Sequence, residues 1–226
     1  MLLRAAGLPA ALALVSLTGV ACGGGDTSTR AETPTVPAGM TAADLSDLLP
    51  TAAEAETALG VPVNESDAQE DLSQTFEHTN TERLVGALVG RYRAAAGSGY
   101  VQLALYDTPA DARAATGVIL EGMERDRELR PDAVRSEFDV ADMADESRGF
   151  VMDAEADSSF TWALLRLDRI LVEIVAFHGT DDDQVEGVSR LARLVRENLS
   201  SSVDSRPTRR SPVPTATTTT PPATSG

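Results

Sequence analysis

Two histidines, one cysteine and a few runs of closely spaced carboxylates are the residues of this 226-residue chain whose types allow chemistry beyond packing. His178 ends an apolar run just before Gly179-Thr180-Asp181-Asp182-Asp183. A Ser-His-Asp relay would need an activated serine beside it, and the sequence holds no Gly-x-Ser-x-Gly elbow. His178 is therefore expected to hydrogen-bond a neighbouring acid at the rim of a sheet. His78 falls just past an expected helix, where a cation favours the C-terminal end of the dipole. Asp153, Glu155 and Asp157 have the spacing that opens a calcium loop, but Ser158 stands at the required glycine and Leu164 at the bidentate glutamate. They read as a solvated turn. Asp181, Asp182 and Asp183 read as charge at a helix N-terminus. Trp162 alternates with Phe160 and Leu164, which makes it either core or the wall of a pocket. The expectation is no catalytic residue, no metal site and no cofactor.

The cysteine is a different case. Cys22 follows a short positive start at Arg4 and an almost unbroken apolar stretch over 5–21, and it precedes three glycines. That stretch has the length and flanks of a secretory signal peptide over 1–21, and is at the short end for crossing a bilayer. An exported chain meets oxidising conditions, where stray thiols are paired or lost. Cys22 has no partner in the sequence. The run Thr18-Gly19-Val20-Ala21-Cys22 resembles the lipobox of bacterial lipoproteins. The resemblance implies cleavage before Cys22, a diacylglycerol on its thiol and attachment to the extracytoplasmic face of the cell membrane. Two or three acyl chains hold firmly where one holds marginally, at about 0.8 kcal/mol per buried CH₂.

Charge narrows the partners. Lys and Arg total 19 against 35 Asp and Glu, a formal charge of −16, and every basic residue is Arg. Such a surface repels phosphate backbones and anionic lipid, so nucleic acid is excluded and any membrane contact must come through the lipid. An envelope protein or a small-molecule ligand remains as partner.

Both ends read as non-globular. Residues 22–40 mix Gly, Thr, Pro and charge without apolar period, as a lipid-anchored flexible linker does. Residues 203–226 form a Thr/Pro-rich tail: from Ser211 onward six of sixteen residues are Thr and four are Pro, too few apolar groups for a core. Between them, 41–202 is expected to be one α+β domain.

Within it, Thr51-Ala52-Ala53-Glu54 is a capping box and Gly60 a left-handed stop, which bound a short helix. A weaker helix precedes it at Ala42–Leu48. Ser66-Asp67-Ala68-Gln69 repeats the capping pattern and predicts a helix to about Glu77. Gly86 and Gly90 tilt Leu84–Arg93 towards strand. Val101, Leu103 and Leu105 alternate with polar or small residues. Thr108-Pro109 starts a helix that fades near Leu129, with Ala112, Ala115, Ile119 and Met123 on one face. Arg135–Val140 and Gly149–Met152 are weaker strands. Phe160–Leu167 and Ile170–His178 form a hairpin about Asp168-Arg169. Asp183–Leu199 is amphipathic, with Val188, Ala192, Val195 and Leu199 inward. The sum is an antiparallel sheet of about four to six strands with helices packed on one face.

The stretches Leu48–Gly60 and Val101–Ala115, with the closing hairpin and helix, are loosely similar to extracytoplasmic domains of actinobacterial lipoproteins and to PknH-type kinase sensor domains. The resemblance implies a non-enzymatic ligand-binding or sensing module of the cell envelope. Those sensors carry disulfides and this domain has no cysteine, so no ligand site transfers from them. A hydrolase acting on envelope material through its acids, or a structural adaptor, are the alternatives.

Overall fold

The strongest alternation in the sequence builds the middle of the molecule. The computed structural model describes residues 33–70, 83–95, 97–140, 144–153 and 159–205. Seven strands occur among them: β1 (Val63–Glu70), β2 (Leu84–Ala94), β3 (Gly97–Tyr106), β4 (Val134–Phe138), β5 (Glu146–Asp153), β6 (Ser159–Leu167) and β7 (Ile170–His178). They form one sheet in the order β1-β2-β3-β7-β6-β5-β4, and every neighbouring pair is antiparallel. The α+β class holds; the sheet is one strand larger than the upper expectation. β7 lies at its centre because it is apolar on both faces, as a strand covered from two sides must be.

Ile170, Val172, Ile174 and Ala176 point to the first face, where they join Val101, Leu103, Leu105, Ala163, Leu165 and Leu167. Helices α1 (Ala52–Leu59) and α3 (Asp181–Ser205), with a 3-10 helix at Ala42–Leu48, close this face through Leu45, Leu48, Ala55, Leu59, Val188, Leu191, Val195 and Leu199. Each helix begins where its sequence says. Thr51 accepts the Glu54 N–H at 3.3 Å while Glu54 accepts the Thr51 N–H at 2.7 Å, and Gly60 ends α1 at φ 71. Thr180 and Asp183 make the same reciprocal pair at the start of α3 (3.3 and 3.0 Å). Gly86 is required by close approach: a Cβ there would sit 2.2 Å from Ala42 Cβ, so the 3-10 helix lies directly on β2.

Three expectations need correction. The helix expected from Ser66 is strand β1 as far as Glu70, and the rest of that stretch lies outside the described residues. β1 is an edge strand whose Glu65 and Asp67 stand opposite Arg93 and Arg91, so its polar residues need no helix to place them. The helices do not all share one face. Helix α2 (Pro109–Leu129) lies on the second, where Ala112, Ala115, Ile119, Leu120 and Met123 pack over Ala104, Tyr106, Trp162, Leu164 and Leu171.

Nor does the packed part wait until residue 41. Val36 and Met40 are buried in the first-face core. The β6–β7 turn holds them: Asp168, at φ 55, accepts the Val36 N–H at 2.7 Å, and the Arg169 guanidinium donates to Pro37 O at 2.6 Å, Met40 O at 3.4 Å and Tyr106 O at 3.1 Å. At the other end α3 runs to Ser205, with Val203 packed on the core.

Candidate functional site

Several residues singled out in the sequence sit in ordinary structural roles. Asp153 ends β5 and pairs with Arg135, while Glu155 and Asp157 lie outside the described residues. Asp181 accepts hydrogen bonds from Ser159 and then Arg135, which together hold its carboxyl below the usual range. Asp182 stands in the first turn of α3 beside it. His178 closes β7 opposite Gly97. His78 and Cys22 lie outside the described residues. Among the described residues no group of three or more His, Cys, Asp or Glu is placed to hold a metal ion.

The concentration of chemistry is on the second face, and the register of the sheet creates it. Gln102 on β3 stands directly opposite Glu173 on β7. Two pairs along, on the same face, Tyr100 faces Val175, and Val175 in turn faces Trp162 on β6. One oxygen of Glu173 takes two donors, the Trp162 indole N–H at 2.7 Å and the Tyr100 hydroxyl at 3.0 Å. Trp162 is itself fixed by stacking on Phe150 across β5, with centroids 5.7 Å apart and planes at 30°.

Burial dominates the electrostatics. Loss of water around Glu173 pushes its carboxyl above the ordinary value, and the two hydrogen bonds pull against that shift without cancelling it. No charged neighbour contributes to the shift. Tyr100 moves further from ionisation, first by burial and then by the adjacent acid. Gln102 completes the group in an unusual way. It is 6% exposed, and its side-chain nitrogen has no hydrogen-bond partner. An amide so placed costs about 1–3 kcal/mol for each unmet bond, so its presence in a core needs a reason other than stability.

The rim of this face is aromatic. Phe160 and Phe177 stack with centroids 5.2 Å apart, and Phe177 stays 39% exposed. Of the two readings given to Trp162, burial supports the core, and its indole N–H is in addition a donor to the acid. The alternation of β7 already places Glu173 among apolar neighbours. Tyr100 and Gln102 carry no local signal, because their relation to Glu173 depends on pairing strands more than 70 residues apart (|i−j| of 73 for the Tyr100 bond).

Away from this group, a concavity of about 420 Å³ runs between α1 and α3. It is lined by Ala53, Ala58 and Leu194 with Glu54, Arg190, Arg193 and Glu197 around them. Its charges are of both signs, and Arg190 is already engaged by Glu186 and by Ala58 O.

The protein's fold is similar to that of a solved extracellular domain. The crystal structure of the extracellular domain of PknH from Mycobacterium tuberculosis superposes with a TM-score of 0.50 at 8% sequence identity, over 70% of this chain and 97% of that one. No protein-family model matches the sequence, and no curated protein sequence does. At this identity the likeness is one of fold, and the loose similarity read from the sequence is to that extent met. Among the described residues no helix is long and apolar enough to cross a membrane.

Proposed function

We propose that this protein is a lipid-anchored, extracytoplasmic module that binds a small ligand without transforming it. The observation that carries the binding reading is the Glu173–Gln102 group: a half-buried acid, its carboxyl raised by burial, beside a buried amide with an unmet donor. Polar groups of this kind lower the stability of a core, and a ligand that completed them would offset that cost. The fold shared with an extracellular domain supports placement outside the membrane. The signal-like stretch over 1–21, with Cys22 at its end, supports attachment through lipid.

Two experiments test the two halves. Mass spectrometry of the mature N-terminus should find a diacylglycerol on Cys22, and Cys22→Ser should release the protein from the membrane fraction. Unchanged processing and membrane association in that variant would remove the anchor from the account. For binding, thermal denaturation against a panel of neutral, anionic and cationic small molecules should find at least one that raises Tm, since a ligand selective for the folded state stabilises it by mass action. A panel without any such compound argues against a binding module.

A further inference from the structure

The geometry points to a primary amine carrying a neighbouring oxygen, a 2-amino alcohol or amino sugar, as the ligand that Glu173 and Gln102 recognise. This rests on the binding reading above and names the chemical class.

Three features of the site select that class. The first is charge. The Glu173 carboxyl is half-buried, and the upward shift that burial gives it owes nothing to a cation of this chain. On β6, the guanidinium of Arg166 is taken by Asp145 at 3.0 Å, Glu146 at 3.3 Å and Asp168 O at 3.3 Å. Arg91 stands on β2, beyond Tyr100 and two strands from β7. Above the site, the packed residues of α2 are Ala112, Ala115, Ile119, Leu120 and Met123, while Arg113, Glu121, Glu124 and Arg125 are exposed. A ligand ammonium is the missing counter-ion, and a chain of charge −16 attracts it.

The second feature is the division of hydrogen bonds. Tyr100 and Trp162 both donate to the same oxygen of Glu173, which directs an incoming donor to the other. The Gln102 nitrogen needs an acceptor, and Gln102 and Glu173 are directly paired across the ladder. Directly paired residues have Cα atoms about 5 Å apart, so their side-chain ends meet a donor and an acceptor two carbons apart on one small molecule. The third feature is the wall. Tyr100 and Trp162 border the acid with their hydroxyl and indole N–H edges, and aromatic side chains with a polar end are the usual lining of a small-ligand site.

The test uses the purified full chain with ethanolamine and glucosamine as probes, and ethylene glycol and glucose as their uncharged counterparts, read by thermal shift and calorimetry. At neutral pH at least one amine should raise Tm while its counterpart does not. Glu173→Gln, which keeps the shape and the acceptor for Tyr100 and Trp162, should weaken amine binding by about tenfold or more, the loss expected for one charge-assisted bond. Should that variant fold poorly, the unaltered protein carries the same test through pH: amine binding should fall as Glu173 takes up its proton, at a pH above the ordinary 4.5. Equal effects of amine and counterpart, or amine binding indifferent to both Glu173→Gln and acid, would overturn the assignment. So would silence from both amines; if another compound of the wider panel still raised Tm, the module would remain a binder and only the amine class would fall.

Discussion

The two faces of the sheet are built from the same strands and differ in what they bury. On the first, β7 contributes Ile170, Val172, Ile174 and Ala176, and every one meets apolar neighbours. The polar atom that enters this layer from Tyr92 is satisfied: its hydroxyl donates to Pro50 O at 2.6 Å, and burial holds it further from ionisation. On the second, the intervening residues are Leu171, Glu173, Val175 and Phe177, so an acid occupies the middle of a central strand. The first face has the composition of a layer selected for stability. The second gives up stability at Glu173 and Gln102, and these carry the groups able to recognise another molecule.

The largest effects should come from damaging the first face. Leu191 is fully buried there between α3 and the sheet, and Leu191→Ala should cost about 2–5 kcal/mol in denaturant unfolding, with the slope unchanged. Next is Gly86→Ala. The added methyl would stand 2.2 Å from Ala42 Cβ and 3.1 Å from its Cα, so the 3-10 helix must shift as a unit. Overpacking of this kind costs about 1–3 kcal/mol. A neutral outcome for either would mean that this layer is looser than its burial implies.

On the second face the sign should reverse. Glu173 has its carboxyl raised in the folded state, chiefly by burial. The folded protein therefore binds that proton more readily than the unfolded chain does. Its stabilising contribution is fully present below the unfolded value of 4.5 and is lost as pH rises through the higher folded value. Glu173→Gln removes the ionisation and keeps an acceptor for Trp162 and Tyr100. It should raise stability at pH 7 to 8 by about 1 kcal/mol and lose its advantage near pH 4. Unfolding curves of both proteins across that range measure the difference. A variant less stable than the parent at neutral pH would mean that the ionised acid is well compensated, and the contrast between the faces would weaken.

The unequal legibility of the two faces follows from the same physics. The capping boxes at Thr51 and the start at Thr108-Pro109 are local, and so is the period-two alternation of Phe160–Leu167 and Ile170–His178. The structure places helices and strands there within a few residues. β1 was not legible: Ser66 to Gln69 mimics a helix cap, and an edge strand with acids facing Arg91 and Arg93 lacks apolar alternation. The side of the sheet taken by α2 was not legible either. Its stripe of Ala112, Ala115, Ile119 and Met123 says that the helix packs, and nothing local says on which face. Glu173 could be seen as an intruder in an apolar strand. Its partnership with Gln102 requires the strand order β2-β3-β7-β6, which no single window encodes.

Gln102 sharpens the comparison most finely, because its effect should be small and its direction informative. Its side chain is as buried as a leucine, and its nitrogen has no partner. Gln102→Leu keeps nearly the same volume and removes the unmet donor, so it should stabilise the protein by about 1 kcal/mol in the absence of ligand. The same change should weaken amine binding, since the acceptor on the ligand would then face an apolar group. Stability and binding would move in opposite directions at one residue, as they do where a site is kept against the interest of the fold. If Gln102→Leu instead destabilised the protein, the amide would have a partner in the free state, and the second face would be polar for structural reasons alone.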